Sequence, residues 1–185
     1  MRIPISDDLH LRVLEETDAH EIHALIEANR AFLARWMPWA AEQDMERTAN
    51  FIRGTRQRFE TGDSFETAVV LDGRIAGCAG FPAIDSVARN AIIGYWLAEE
   101  HEGRGLITRA VRALIDHAFG EWQLHRVEIR ATADNVRSRA VPERLGFQRE
   151  GVLREAELVG GEYQDLVVYG LLATDRATAW RPLDG

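Results

Sequence analysis

Cysteine is almost missing from this chain: Cys78 stands alone in 185 residues. An internal disulfide is therefore excluded, and a reducing, cytoplasmic setting is expected. Beside Gly77 and Gly80 in an apolar run, Cys78 reads as a small buried residue. Lysine is absent, and all 22 basic residues are arginine. No lysine can then serve as Schiff-base former or general base, and a phosphate site has only arginine and backbone N–H groups to use. No apolar run reaches the roughly 18–20 residues that span a membrane. The N-terminus lacks a basic stretch followed by an apolar one, so no secretory leader is expected. Positive charge is also in deficit, with 30 acidic against 22 basic residues and a net charge of −8. That balance argues against broad nucleic-acid binding and suits a basic or cationic substrate. His101, His117 and His125 lack the spacing of metal ligands, and no metal is expected. Repeats, linkers and low-complexity segments are missing too. One domain over residues 1–172 is expected, followed by a weakly periodic, mobile tail over 173–185.

What is present is ordinary in bulk, 46% hydrophobic and 28% charged, and specific in pattern. Leu9 to Leu14 alternates like a strand. Thr17 and Asp18 offer a helix start, with Ile22, Leu25 and Ile26 as its apolar face. Trp36-Met37-Pro38-Trp39 interrupts that pattern. A second amphipathic segment carries Phe51, Ile52 and Phe59 and stops at Gly62-Asp63. Phe65 to Leu71 and Arg74 to Phe81 read as a hairpin around Asp72-Gly73. Pro82 and Asp85-Ser86 mark a loop, and Asn90 to Leu97 is a further strand. Leu106, Ile107, Ala110, Val111, Leu114, Ile115, Ala118 and Phe119 form a helical stripe. Arg126 to Ala131 reads as a strand and Val136 to Leu145 as a helix closed by Gly146. Gln148 to Leu158 and Tyr163 to Leu172 are strands joined around Gly160-Gly161. The predicted order is β-α-α-β-β-β-α-β-α-β-β, an α/β (α+β) chain.

The most informative stretch runs from Gly94 through Tyr95-Trp96-Leu97 to Glu102-Gly103-Arg104-Gly105-Leu106-Ile107-Thr108. A strand ends, two glycines follow one residue apart, and a helix begins. Free backbone N–H groups at a helix N-terminus then lie beside a strand end, an arrangement that binds phosphate. A P-loop is ruled out by the missing Gly-Lys-Ser/Thr ending, and a Rossmann fingerprint by the missing third glycine.

Some 30 residues after Gly105 comes Asn135-Val136-Arg137-Ser138 opening a helix, then Leu145-Gly146-Phe147 and Glu150-Gly151. With these motifs in this order, the chain resembles the GCN5-related N-acetyltransferase (GNAT) superfamily. Within it, the chain is similar to the RimJ/RimL branch of ribosomal-protein N-terminal acetyltransferases over roughly Leu9 to Leu172. The resemblance implies a GNAT fold: a mixed, mostly antiparallel seven-stranded sheet with splayed central strands, flanked by about four helices. It implies acetyl-CoA as cosubstrate. Tyr95, Trp96 and Leu97 would line the pantetheine arm. Glu102, Gly103, Arg104, Gly105, Leu106, Ile107 and Thr108 would face the pyrophosphate, and Asn135, Ser138 and Arg139 would complete the cofactor site. Glu102 and Ile107 depart from the family's Gln/Arg and small residue. A carboxylate repels pyrophosphate. Glu102 is therefore expected to point away, with Arg104 and Arg109 supplying compensating charge.

The implied reaction moves an acetyl group to a primary amine by direct attack. An α-amine has pKa about 7.7–8.0, so a carboxylate working through water is base enough. Glu157, 19 residues after Ser138, is the candidate base, with Glu155, expected on the same strand face, as the fallback. Ser138 is the candidate acid for the departing thiolate, with Tyr163 as the alternative. A backbone N–H near Leu97 would polarise the thioester carbonyl. Trp36, Trp39 and Tyr163 are the candidate acceptor-binding residues. Each has an ordinary reading as well: Asn135 a helix cap, Glu157 a solvated strand residue, the tryptophans core packing. The N-terminus of a ribosomal protein is the expected acceptor. A small amine (polyamine, antibiotic or amino-acid-like toxin), or CoA binding without catalysis, is the alternative. Relatives of this kind occur as monomers or homodimers, and either is expected.

Overall fold

The computed structural model describes residues 1–175. Its strands are β1 (Arg2–Pro4), β2 (Leu9–Val13), β3 (Phe65–Leu71), β4 (Arg74–Asp85), β5 (Asn90–Leu97), β6 (Arg126–Thr132), β7 (Gln148–Val159) and β8 (Glu162–Leu172). Its α-helices are α1 (Ala19–Leu33), α2 (Met45–Thr61), α3 (Leu106–Gly120) and α4 (Val136–Arg144), with short 3-10 turns at Glu16–Asp18, Pro38–Glu42 and Glu99–His101. All eight strands join one sheet in the order β1-β2-β3-β4-β5-β6-β8-β7. Every pairing is antiparallel except β5 with β6. The expected seven strands become eight because Arg2-Ile3-Pro4 adds an edge to β2, with Ile3 opposite Leu11. Three residues are too few to display a period. Beyond Asp175 the tail lies outside the described residues.

Local chemistry sets the joints. Asp72 and Gly73 both take positive φ, 50° and 80°, the twist that a two-residue hairpin requires. The β4 strand was expected to stop at Phe81 but runs on to Asp85. Its pairing with β5 is irregular between Gly80 and Ala83, where Pro82 has no N–H to give the ladder. Asp44 caps α2 by accepting from the Arg47 N–H, and Gly62 ends it in the left-handed conformation.

Alternation along β3 divides the core in two. Phe65, Val69 and Leu71 face one layer, packed with the α3 stripe of Val111, Leu114 and Ile115. Ala68 and Val70 face the other, packed with Ile22 and Ile26 of α1 and Ile52 of α2. Truncating a fully buried member such as Leu114 to alanine would cost about 2–5 kcal/mol. The sheet is thus sandwiched, which is why β3 is buried along its whole length.

One interruption matters for function. β5 pairs with β6 only from Asn90–Arg126 to Ile93–Ile129. Beyond that point Gly94 to Leu97 stays with β4, and Arg130 to Thr132 stays with β8. Two strand edges therefore face each other across a gap, as the resemblance implied.

Candidate active site

A cavity of about 470 Å³ lies at this gap. One wall is Ile93, Gly94, Tyr95 and Trp96 of β5, and the opposite wall is Arg130, Ala131 and Thr132 of β6. Asn135 and Ser138 of α4 and Glu157 of β7 border it. On the α1–α2 side it is closed by Trp36, Met37, Trp39 and Phe51, with Glu66 of β3.

At the C-terminal end of β5 the chain turns into α3 through Gly103 and Gly105, at φ 72° and 70°. A Cβ on either would meet nothing within 4 Å, so glycine is required by conformation, not space. Gly105 is the N-cap of α3 and offers no side-chain cap, so the first-turn N–H groups remain as donors. The Leu106 and Thr108 side chains are buried, and Ile107 packs against the core. Ile107 is partly buried with its side chain against the core, so this unusual residue leaves the backbone donors of the turn in place.

Glu102 has a partner of its own: Arg137, on the first turn of α4, donates to its carboxylate. Arg104 and Arg109 are engaged elsewhere. Arg109 donates to the Ser6 hydroxyl, Arg104 lies 3.5 Å from His101 Nδ1, and both arginines help hold the Asp8 carboxyl below its usual range, after the larger effect of the Ser6 hydroxyl. Glu102 is thus neutralised by Arg137, a partner that sequence reasoning passed over although it lies inside the Asn-x-x-Ser motif.

Asn135 caps α4 through its side-chain oxygen, which accepts from the Ser138 N–H at 3.0 Å. That bond occupies the amide oxygen and leaves the NH2 as the free donor of a residue that lines the cavity. The Ser138 hydroxyl donates to the Tyr95 hydroxyl at 3.2 Å, and Tyr95 donates onward to the Ser138 carbonyl at 2.9 Å. This pair ties α4 to the open edge of β5. Burial pushes the Tyr95 phenol far above its usual range, with the Ser138 hydrogen bond opposing. Arg139 does not line the cavity. It donates to the Tyr169 hydroxyl at 3.0 Å and the Ala133 carbonyl at 2.8 Å, anchoring α4 to β8.

Glu157 borders the cavity without a hydrogen-bond or ion-pair partner among the described residues, and burial raises its carboxyl above the usual range. Glu155 does not share its face. The β7–β8 register shifts between Leu153 and Glu157, and Glu155 takes φ 50° while its N–H donates to the Asp165 carboxylate. This bulge cancels the simple alternation on which the fallback depended. Tyr163 also stands apart. It pairs with Leu158, one position beyond the Glu157–Gln164 pair, and is 68% exposed, away from the cavity. Trp36 and Trp39 do line it, and Trp39 meets the Trp96 ring edge-on with centroids 6.1 Å apart.

Among the lining residues that sequence reasoning missed, Thr132 and Glu66 stand out. Thr132 is 4% exposed, and its hydroxyl finds no partner among the described residues. Glu66 is 9% exposed and was readable as a lone charge inside an apolar strand. Gly80 lies opposite it, and a Cβ there would stand 2.7 Å from a Glu66 carboxylate oxygen. The acid therefore lies over Gly80, in the row that continues to Gly94. Burial lifts its carboxyl to about 7, with Arg58 opposing.

Among the described residues no helix is long and apolar enough to cross a membrane, and no group of three potential metal ligands occurs. The family model for the acetyltransferase (GNAT) domain matches residues 8–148. The chain is 39% identical over 170 residues to the putative ribosomal N-acetyltransferase YdaF of Bacillus subtilis (strain 168), covering 91% of this chain and 93% of that protein. It is 31% identical over 168 residues to the ribosomal-protein-serine acetyltransferase of Escherichia coli (strain K12), covering 90% and 94%. The fold superposes with a TM-score of 0.90 and 29% identity on RimL, a ribosomal L7/L12 alpha-N-protein acetyltransferase in complex with coenzyme A, covering 93% and 98%. The chain belongs to the GNAT acetyltransferase family and is an N-acetyltransferase that takes its acetyl group from acetyl-CoA.

Proposed function

We propose that the chain acetylates the α-amine at the N-terminus of a protein, a ribosomal protein first among the classes to test. The cavity at the splayed sheet carries this reading, because it is lined both by the open edge of β5 and by the acidic side chains Glu66 and Glu157. The similar proteins named for ribosomal proteins, serine and alpha-N acetylation supply the acceptor class.

Acetyl-CoA fits the groups on hand. The left-handed Gly103–Gly105 loop and the N-terminus of α3 would hold the pyrophosphate. The unpaired edge from Gly94 to Leu97 offers backbone partners to the pantetheine amides. The orphaned Thr132 hydroxyl and the Asn135 amide offer two more. With the pyrophosphate held beyond Leu97 and the gap closed at Ile93–Ile129, Gly94, Tyr95 and Ser138 would be the groups beside the thioester.

Glu157 would then accept a proton from the acceptor nitrogen through water, with its raised carboxyl better matched to an amine. A free β5 N–H would stabilise the oxyanion. The Ser138 hydroxyl, positioned by Tyr95, would protonate the departing thiolate. Trp36 and Trp39 would wall the acceptor entrance, and residues 1–172 would work as one domain. The test is acetylation of ribosomal proteins and of a peptide with a free N-terminal serine, the modified amine located by mass spectrometry. Acetate on the α-amine is the expected outcome, and turnover of spermidine without turnover of the peptide defeats this reading.

A further inference from the structure

Among the described residues two acidic side chains are buried, and they differ in one respect. Asp18, 5% exposed, is held by both guanidinium nitrogens of Arg12 at 2.6 and 2.7 Å. Glu66 has no hydrogen-bond or ion-pair partner among the described residues and borders the cavity. An unpaired buried carboxylate weakens a fold, and it is well suited to a cation that arrives from outside. The cation of this reaction is the acceptor's own ammonium.

The geometry points to Glu66 as the group that receives the acceptor's ammonium and takes its first proton. This rests on reading the cavity as an amine-acceptor site. Acetylating an ammonium removes two protons from nitrogen and adds one to sulfur. Glu66 takes the first, freeing the nitrogen lone pair. The N–C bond then forms as the carbonyl π electrons move to oxygen. On collapse the C–S bond breaks with its electrons going to sulfur. Glu157 takes the second nitrogen proton, and Ser138 protonates the thiolate. As the two acids and Ser138 reset, one of the two protons stays on the thiol and the other leaves to solvent.

The placement supports this division. Glu66 lies over Gly80 in the row leading to Gly94, where the open edge of β5 begins. Glu157 faces the gap from β7, beyond β6 and β8. The two acids line the same cavity from opposite sides of the gap, so the first proton is assigned to Glu66 and the second, through water, to Glu157. Arg58 of α2 and Cys78 of β4 act on Glu66 directly, and the other charged or titratable groups of the cavity are Arg47 of α2, Tyr95 of β5, Arg130 of β6 and Glu157. Arg58 already donates to the Pro82 carbonyl, and Arg47 is paired with Glu42. A carboxyl near 7 is close enough to an α-ammonium at about 8 for the proton to pass.

The experiment compares Glu66→Gln with wild type at pH 7 and pH 9, using acetyl-CoA with the serine peptide and with spermidine, alongside the CoA Kd. With the peptide, kcat/KM should fall about 100-fold at pH 7. The deficit should shrink about tenfold at pH 9, where the α-amine is already neutral. CoA affinity should stay within about twofold, and Tm should not fall. With spermidine, whose amines remain charged, the deficit should persist at pH 9. A loss under about threefold at pH 7, or a CoA Kd that changes as much as kcat/KM, overturns the assignment. So does a peptide deficit that ignores pH. A wild-type enzyme active on spermidine alone defeats the N-terminal reading, and Glu66 is then judged by the persistent spermidine deficit. Activity on neither amine defeats both.

Discussion

On the side of the cavity assigned to the cofactor, the groups offered to a ligand are mostly main-chain. They are the open edge of β5, the Gly103–Gly105 loop and the first turn of α3. On the side assigned to the acceptor they are side chains from distant elements: Glu66 from β3, the tryptophans from the turn after α1, Glu157 from β7. The first half tolerates unusual residues as long as the backbone keeps its conformation, which is how Ile107 can stand where a small residue is usual. The second half depends on a few atoms, and a single substitution there removes the function of that atom. Acceptor-side changes should therefore strike turnover, and cofactor-side changes should strike affinity or stability.

The largest effect should come from Glu157→Gln, with kcat lower by about 10²-fold or more and CoA affinity unchanged. A carboxylate base works only when ionised, so wild-type activity should rise as pH climbs through a carboxyl held above its usual range by burial. Without it, the second nitrogen proton has no carboxylate to receive it, and the rising limb that Glu157 sets should be lost or moved to higher pH. A profile left in place would show that Glu157 is not the base. On the cofactor side, Asn135→Asp separates two uses of one side chain. Aspartate keeps the α4 cap and removes the amide donor. CoA affinity should fall about tenfold, the value of one hydrogen bond, with Tm nearly constant. Loss of Tm without loss of affinity would make Asn135 a cap and nothing more.

The same division explains what could be read from the residues. The Asp72-Gly73 turn, the α3 stripe and the glycine loop are local, because their conformation is written in adjacent residues. The α4 cap is local too, since Asn135 bonds a group three residues away. Glu66 depends on Gly80 across a strand pair and Gly94 across the next, and no local period reveals that row. Glu155 looked equivalent to Glu157 because alternation presumes an unbroken ladder, and the β7 bulge breaks it. Arg137 sits in plain view within the motif, but its partner Glu102 lies in another loop.

If the cofactor side is a matter of backbone, then glycine changes should sort by φ. Gly105→Ala places a side chain at φ 70°, which should cost at least about 1 kcal/mol and lower Tm by about 2–4 °C for a chain of this size. Gly54, inside α2 at ordinary φ with open space around it, should respond with the opposite sign, gaining up to about 1 kcal/mol as alanine. Thermal melts of the two variants decide the point, and equal shifts would refute it.

The smallest effect belongs to the ion pair that lets an acidic residue sit beside the loop. Arg137 is well exposed, and Glu102 is more sheltered, so their coupling should be worth under about 1 kcal/mol. Arg137→Ala leaves the Glu102 carboxylate unneutralised near the place assigned to the pyrophosphate. CoA affinity should drop a few-fold at low salt, and the loss should fade as ionic strength rises, since screening weakens repulsion between exposed charges. Glu102→Gln in the same background should restore affinity, because the repelling charge is then gone. The double-mutant cycle isolates that coupling from any contact Arg137 makes with the ligand itself. If Arg137→Ala weakens CoA binding equally with glutamate or glutamine at position 102, the arginine acts directly on the phosphates. The loop would then need a side-chain cation after all.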